Sequence, residues 1–271
     1  MPTNRILPLL ACAGSLFAQD ASDVPLGLNL PTAQSLEQGD VGVRFTHRFT
    51  ERARGNGTDA YGLDGYAFAA VGLDFSFKAL KGWNLQLYRT ADQRTFTAAI
   101  QKQLFAGEGW RAAVRVERYD EVVRDNKTTA GVREGKVGST VLVPLEALAG
   151  PVTFSLVPAY INRTATRTEA IFNVAAALRW DLSEKHRVHG EYYPRPGKLR
   201  DTLVAAGSTA RGLEPGWALG YTYRTRGHRF SAVATNILGT TAHQVLSGDY
   251  NGLGPARGGD WVLGFNVVRI F

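Results

Sequence analysis

The last eleven residues, Trp261 to Phe271, alternate. Counting back by twos from the end gives Phe271, Arg269, Val267, Phe265, Leu263 and Trp261, and five of those six are large and apolar. A period of two belongs to an extended strand with one apolar face. A tilted strand that crosses a bilayer needs about 9–11 residues. The competing assignment is the edge strand of a soluble sandwich.

The rest of the chain repeats the pattern. Alternation predicts strands at Val41–Thr50, Tyr66–Lys78, Trp83–Thr90, Thr95–Phe105, Trp110–Tyr119, Val137–Leu145, Val152–Asn162, Ile171–Trp180, His186–Tyr193, Trp217–Arg224 and Arg229–Asn236, with the terminal run as the twelfth. Ile171–Trp180 is clear: Phe172, Val174, Ala176, Leu178 and Trp180 oppose Asn173 and Arg179. Lys102 interrupts the apolar face of its strand near one end, where it can snorkel. Pro158 lies inside another strand, so a bulge is expected there.

Connection lengths supply an independent test. The links after strands two, four, six, eight and ten are short, as in Ala79–Gly82 and Thr225–His228. Those after strands one, five, nine and eleven are long, Glu51–Gly65, Asp120–Lys136, Pro194–Gly216 and Gly239–Asp260, and those after three and seven are intermediate. Sorting of loop lengths by parity is the habit of outer-membrane barrels, with short periplasmic turns and long external loops. A soluble sandwich has no reason to sort them. The expected fold is therefore all-β: a closed antiparallel transmembrane barrel over residues 40–271, with both termini periplasmic.

Composition agrees. Mean hydropathy is −0.15, and beyond the first 20 residues there is no 18-residue apolar run for a spanning helix. Barrel strands need none, because only alternate residues meet lipid. Thirty glycines and 28 aromatics suit turns, strands and interfacial girdles. Lys and Arg exceed Asp and Glu, 31 against 24, but they are dispersed and no nucleic-acid motif occurs, so nucleic acid is not an expected partner.

Residues 1–18 read as a signal peptide: Arg5, then apolar Ile6–Phe17, then Ala18. A lipoprotein signal ending on Cys12 is the alternative. Cys12 is the only cysteine, which excludes a disulfide framework and a thiolate metal site. Residues 19–39, with Pro25 and Pro31, read as an irregular periplasmic lead-in.

Parity assigns the inward charges. Arg44, Arg48, Arg111, Arg115, Arg179, Arg187, Arg224 and Arg229 face the lumen against Asp74, Glu117 and Glu191. A ring of one sign selects ions of the other, which points to a small passive pore favouring anions. Equally, the arginines can pair with carboxylates, Tyr and Gln to fill a narrow barrel, since buried charges need partners. A third reading, an outer-membrane lipid hydrolase around His47, lacks a Gly-x-Ser-x-Gly elbow or an evident serine partner. His189 and Glu191 share one face without a nucleophile. Gly248-Asp249-Tyr250-Asn251-Gly252 lacks the spacing of a calcium loop, and no nucleotide or zinc motif occurs, so no cofactor, metal or catalytic residue is expected. The Asn-x-Thr triplets at Asn56, Asn126 and Asn162 are chance matches of a short pattern.

Four pieces resemble the DUF5777 family of bacterial outer-membrane barrels: Thr46-His47-Arg48-Phe49, Gly62-Leu63-Asp64-Gly65-Tyr66, Glu191-Tyr192-Tyr193-Pro194, and Gly264 through Phe271. The resemblance implies a membrane barrel and carries no catalytic residues. It also implies that Phe265, Val267 and Phe271 form a C-terminal signal read by the barrel-insertion machinery. Lipid, that machinery and small solutes are the expected partners of a monomer. A closed scaffold barrel that binds a partner through its loops or periplasmic end stands beside the pore.

Overall fold

The computed structural model describes residues 25–49, 67–91, 94–124, 133–163, 170–194, 215–248 and 261–271. The leader at 1–18, Cys12, Asn56, Asn126, Gly62–Tyr66 and Asp249–Gly252 lie outside those residues.

The described strands are β1 (Val41–Phe49), β2 (Ala67–Ser76), β3 (Trp83–Thr90), β4 (Phe96–Ala106), β5 (Trp110–Arg124), β6 (Arg133–Leu142), β7 (Leu145–Ala149), β8 (Val152–Ile161), β9 (Ile171–Asp181), β10 (His186–Tyr193), β11 (Gly216–Arg224), β12 (His228–Thr235) and β13 (Val262–Ile270). One short helix, α1 (Ala242–Ser247), lies between β12 and β13. All pairings are antiparallel between neighbours, β13 returns to β1, and the β4–β5 pairing completes the ring. Closure follows from the solvent: in hydrocarbon each unpaired backbone group costs several kcal/mol, so no sheet edge can stay open.

The barrel has twelve staves, because β6 and β7 are two halves of one. Both pair with β5 and β8 on either side of Val143-Pro144, and the register stays in step across the gap: Leu142 faces Ala159, and Leu145 faces Leu156. Pro144 has no N–H to give the ladder, so the ladder lapses for two residues without slipping. This corrects the expected end of that strand at Leu145: Glu146 to Ala149 is strand as well, followed by a tight turn at Gly150-Pro151.

Two further expectations fail. No bulge forms at Pro158, where β8 and β9 keep register with Pro158 opposite Val174. The irregularity falls in β4 between Gln103 and Phe105. The extra residue there turns Leu104 and Phe105 both outward. The link expected at Asp120–Lys136 is shorter, since β5 and β6 extend their ladder to Arg124 opposite Arg133.

The outer surface carries Val43, Val71, Ile100, Val116, Leu156, Leu219 and similar residues to lipid. Trp110, Phe154, Trp180, Phe230 and Phe271 gather at the end with the short turns, as an interfacial girdle does. There Lys102 snorkels, donating from Nζ to the Lys81 carbonyl (2.7 Å) over the Trp83 ring. Both barrel termini meet at this end, Gly42 opposite Ile270.

Candidate functional site: a filled lumen

The inward face follows parity. Arg44, Arg48, Arg111, Arg115, Arg179, Arg187 and Arg224 are buried inside the barrel, as are Asp74, Glu117 and Glu191; Arg229 is half-buried. The carboxylates against them are more numerous than the alternation indicated. Arg44 donates to Asp74 (3.1 Å) and Arg115 to Glu117 (2.7 Å). Arg179 donates to Glu146 (2.7 Å), and Arg111 stands 4.0 Å from the same carboxylate. Arg187 (2.6 Å) and Arg224 (3.0 Å) share Asp181. Glu146, Asp181 and the fully buried Glu121 complete the acidic set, so the expected balance of eight cations to three anions is corrected. Glu146 was missed because the strand was expected to end one residue earlier, at Leu145, yet it continues the inward series Thr140, Leu142.

Two chain segments fill the space between the walls, and neither is a strand. The first is the supposed lead-in. Residues 26–36 run inside the lumen, with Leu28, Leu30, Ala33 and Leu36 fully buried, which corrects their placement outside the barrel. The segment enters at the short-turn end, where Leu36 N–H donates to Asn84 Oδ1 (3.1 Å). Wall glutamines then satisfy its carbonyls: Gln101 Nε2 donates to Thr32 (2.9 Å) and Gln34 (2.8 Å), and Gln103 Nε2 to Ala33 (2.9 Å). A buried backbone must find such partners.

Its tip is a tight hairpin, closed by Gly27 N–H on the Leu30 carbonyl (2.7 Å) and Thr32 N–H on that of Pro25 (3.2 Å). The successive N–H groups of Leu28 (2.8 Å), Asn29 (3.0 Å) and Leu30 (3.3 Å) all point at the Glu191 carboxylate. Consecutive amides aimed inward form a nest for an anion, here a side chain of β10. Tyr193 also donates to Glu191 and accepts from Asn29 Nδ2 (2.9 Å). Arg48, 0% exposed, bridges Asn29 Oδ1 and Asn266 Oδ1 at 2.9 Å each. Asn266 Nδ2 closes the circle on the Leu28 carbonyl (2.9 Å). Four strand residues therefore latch one hairpin.

The second segment is the stretch from Ile237 through α1, expected in an external loop. All six α1 residues are buried. Ile237, Val245 and Leu246 join Leu28 and Leu30 in an apolar cluster with inward Val157, Ala159, Ile161, Ala175 and Val233. Asn173 Nδ2 caps the helix by donating to the Leu246 carbonyl (2.7 Å). His243 stacks on Tyr119 (3.7 Å), with Nε2 3.0 Å from Glu121 Oε1 and Nδ1 3.8 Å from Glu117. Burial pushes against its charge, but the Glu117 and Glu121 carboxylates beside it outweigh that and lift the imidazole to about 9.

Cavities of about 10, 30 and 20 Å³ remain between plug and wall. A water needs roughly 10–15 Å³ on this measure, so each holds one to three. His47 faces outward, stacked on Phe265 (4.9 Å), and its Nδ1 has no hydrogen-bond partner. Among the described residues no serine hydroxyl bonds it, and no cluster of three or more acidic, His or Cys side chains is placed to hold a metal.

A closed ring of twelve antiparallel staves, greasy outside and polar within, defines an outer-membrane β-barrel. The chain belongs to the DUF5777 family of membrane-bound β-barrel domains, whose profile matches residues 26–271. Among solved structures, the NanC porin aligns at 10% identity over 85% of this chain and 99% of its own, TM-score 0.50. An outer membrane channel from Pseudomonas putida F1 aligns at 11% identity over 92% and 100%, TM-score 0.47. Outer membrane phospholipase A from Escherichia coli aligns at 11% identity over 85% and 92%, TM-score 0.46. At 10% identity the likeness to the NanC porin shows the fold alone. Among curated proteins no sequence match was found.

Proposed function

We propose that this barrel is a passive channel for small solutes, anions preferred, that rests closed with its own N-terminal segment as the plug. The observation behind this reading is the source of the filling. Residues 26–36 and α1 occupy the lumen; neither is a strand, and the N-terminal hairpin is held by polar contacts to the wall as well as by an apolar cluster it shares with α1. Withdrawal of the hairpin would leave a passage lined by Arg44, Arg48, Arg115, Arg179 and Gln101. Such a lining favours anions. The short-turn end is taken as periplasmic, which places both ends of the barrel and the root of the plug on that side.

The plug and the paired charges also favour the runner-up, a permanently closed scaffold. Single-channel recording under a KCl gradient separates them. The full chain should be silent for most of the record, and a variant lacking residues 25–36 should carry steady current that reverses on the chloride side. A folded, heat-modifiable variant that stays silent refutes the channel and leaves the scaffold.

A further inference from the structure

We infer that the short-turn end of the lumen holds a binding site for one small inorganic anion of halide size, between Arg44, Arg187, Arg224 and Arg229. The sheet register builds the site. Arg44 lies opposite Val268, Val268 opposite Arg229, and Arg229 opposite Arg224, so three arginines stand on one rung of four neighbouring strands. Adjacent strands are only about 4.8 Å apart, and like charges directly opposite one another destabilise a sheet. Arg187 joins from β10, paired with Thr222 two residues from Arg224.

These four guanidiniums line a cavity of about 30 Å³, together with the Ser231 hydroxyl and Gly27 of the plug. That volume suits about two waters or one halide, and it excludes an organic anion. Two carboxylates stand nearby. Asp181 serves Arg187 and Arg224 together, and Asp74 holds only the Arg44 Nη2 (3.1 Å). Arg44 Nε has no hydrogen-bond partner although its side chain is 4% exposed. A buried guanidinium donor of that kind is costly to leave unmade, and an anion in the cavity completes it. The inference rests on the anion-favouring reading of the lumen, but it is tested by binding in the closed barrel rather than by current, so either can fail alone.

Bromide is the probe. Crystals of the full chain grown in sodium bromide should give an anomalous peak in this cavity at the bromine edge. In detergent, the unfolding temperature should rise saturably as bromide replaces gluconate at constant ionic strength. Arg224→Gln leaves Arg187 alone with Asp181, a neutral pair, and should weaken the apparent affinity at least about tenfold, the loss of one charge-assisted hydrogen bond. Arg44→Lys keeps the charge beside Asp74 and removes Nε, and it should weaken binding in the same direction should the first variant not fold. No peak, a peak without a saturable shift, or a shift unchanged in the folded variants would overturn the site.

Discussion

Replacing Glu191 by Gln tests the latch with almost no change of volume. The carboxylate accepts three consecutive N–H groups at 2.8 to 3.3 Å and the Tyr193 hydroxyl. An ionised carboxylate only accepts; the carboxamide keeps one accepting oxygen and turns an NH2 toward groups that are themselves donors. Hydrogen bonds to a charged group contribute about 1.5–3 kcal/mol each, and bonds sharing one acceptor do not add fully. The expected loss in plug docking is therefore about 2–4 kcal/mol. At 1.4 kcal/mol per tenfold, the withdrawn population rises roughly 30- to 700-fold. Open probability in planar bilayers reads this directly. Gly27→Ala attacks the same contact from the plug, since a Cβ there would sit 2.6 Å from Glu191 Oε1. The two changes should raise opening separately and add little when combined. A folded Glu191→Gln barrel whose open probability stays within about threefold of the parent would refute the reasoning, whatever else opens the channel.

Other perturbations probe other contacts. Gly220→Ala would place a Cβ 2.6 Å from Leu28 Cδ2, so it should expel the hairpin at about 1–3 kcal/mol, seen as faster hydrogen exchange at residues 27–32. His243 gains its proton on folding, so its contribution to α1 docking is complete below about pH 6.5 and fades as pH rises through about 9. The protection of the α1 amides, exchange taken relative to the intrinsic base-catalysed rate at each pH, should fall across that window, and His243→Gln should abolish that fall. Leu219→Arg, on the lipid face near the middle of β11, should cost about 2–4 kcal/mol in urea unfolding from vesicles; a cost near zero would place that residue off the midplane.

The barrel was legible because bilayer physics constrains it twice: a period of two along each strand, and loop lengths sorted by end. Pro144 and Pro158 show where that legibility stops. A proline in a strand announces a missing donor, but whether the ladder bulges, lapses or runs on depends on the neighbouring stave. Here Val143 N–H reaches the Pro158 carbonyl (2.9 Å) and holds register through the gap. The plug left a trace as well. The inward positions of β8 run Thr153, Ser155, Val157, Ala159, Ile161, polar at the short-turn end and apolar toward the loops. An inward face that turns apolar requires a cover. Leu26-Gly27-Leu28-Asn29-Leu30, between two prolines, is the right composition to supply it. What no single strand could reveal is the meeting of Glu191 with that hairpin, 163 residues away in the chain.

The charge count shows the same limit and carries one more consequence. Parity gives the face a side chain points to, not where the strand ends: Asp181 continues the inward series Asn173, Arg179 one residue past the expected end at Trp180, and so it escaped a tally of inward residues. Its side chain is 30% exposed and lies between Arg187 and Arg224, where permeating ions would enter from the short-turn end. Glu146, with no exposed side-chain surface beneath Arg111 and Arg179, cannot be removed without stranding buried charge, at about 3–5 kcal/mol. Asp181 is partly solvated, so although it serves two buried arginines its loss should cost less than that of Glu146. In a Glu191→Gln background, Asp181→Asn removes one negative charge from the mouth and leaves both arginines facing the pathway. The reversal potential under a KCl gradient should then move further toward chloride, with the conductance little changed. An unmoved potential would mean that these arginines do not face the ion pathway, and that selectivity is set higher in the barrel, around Arg48 and Arg115.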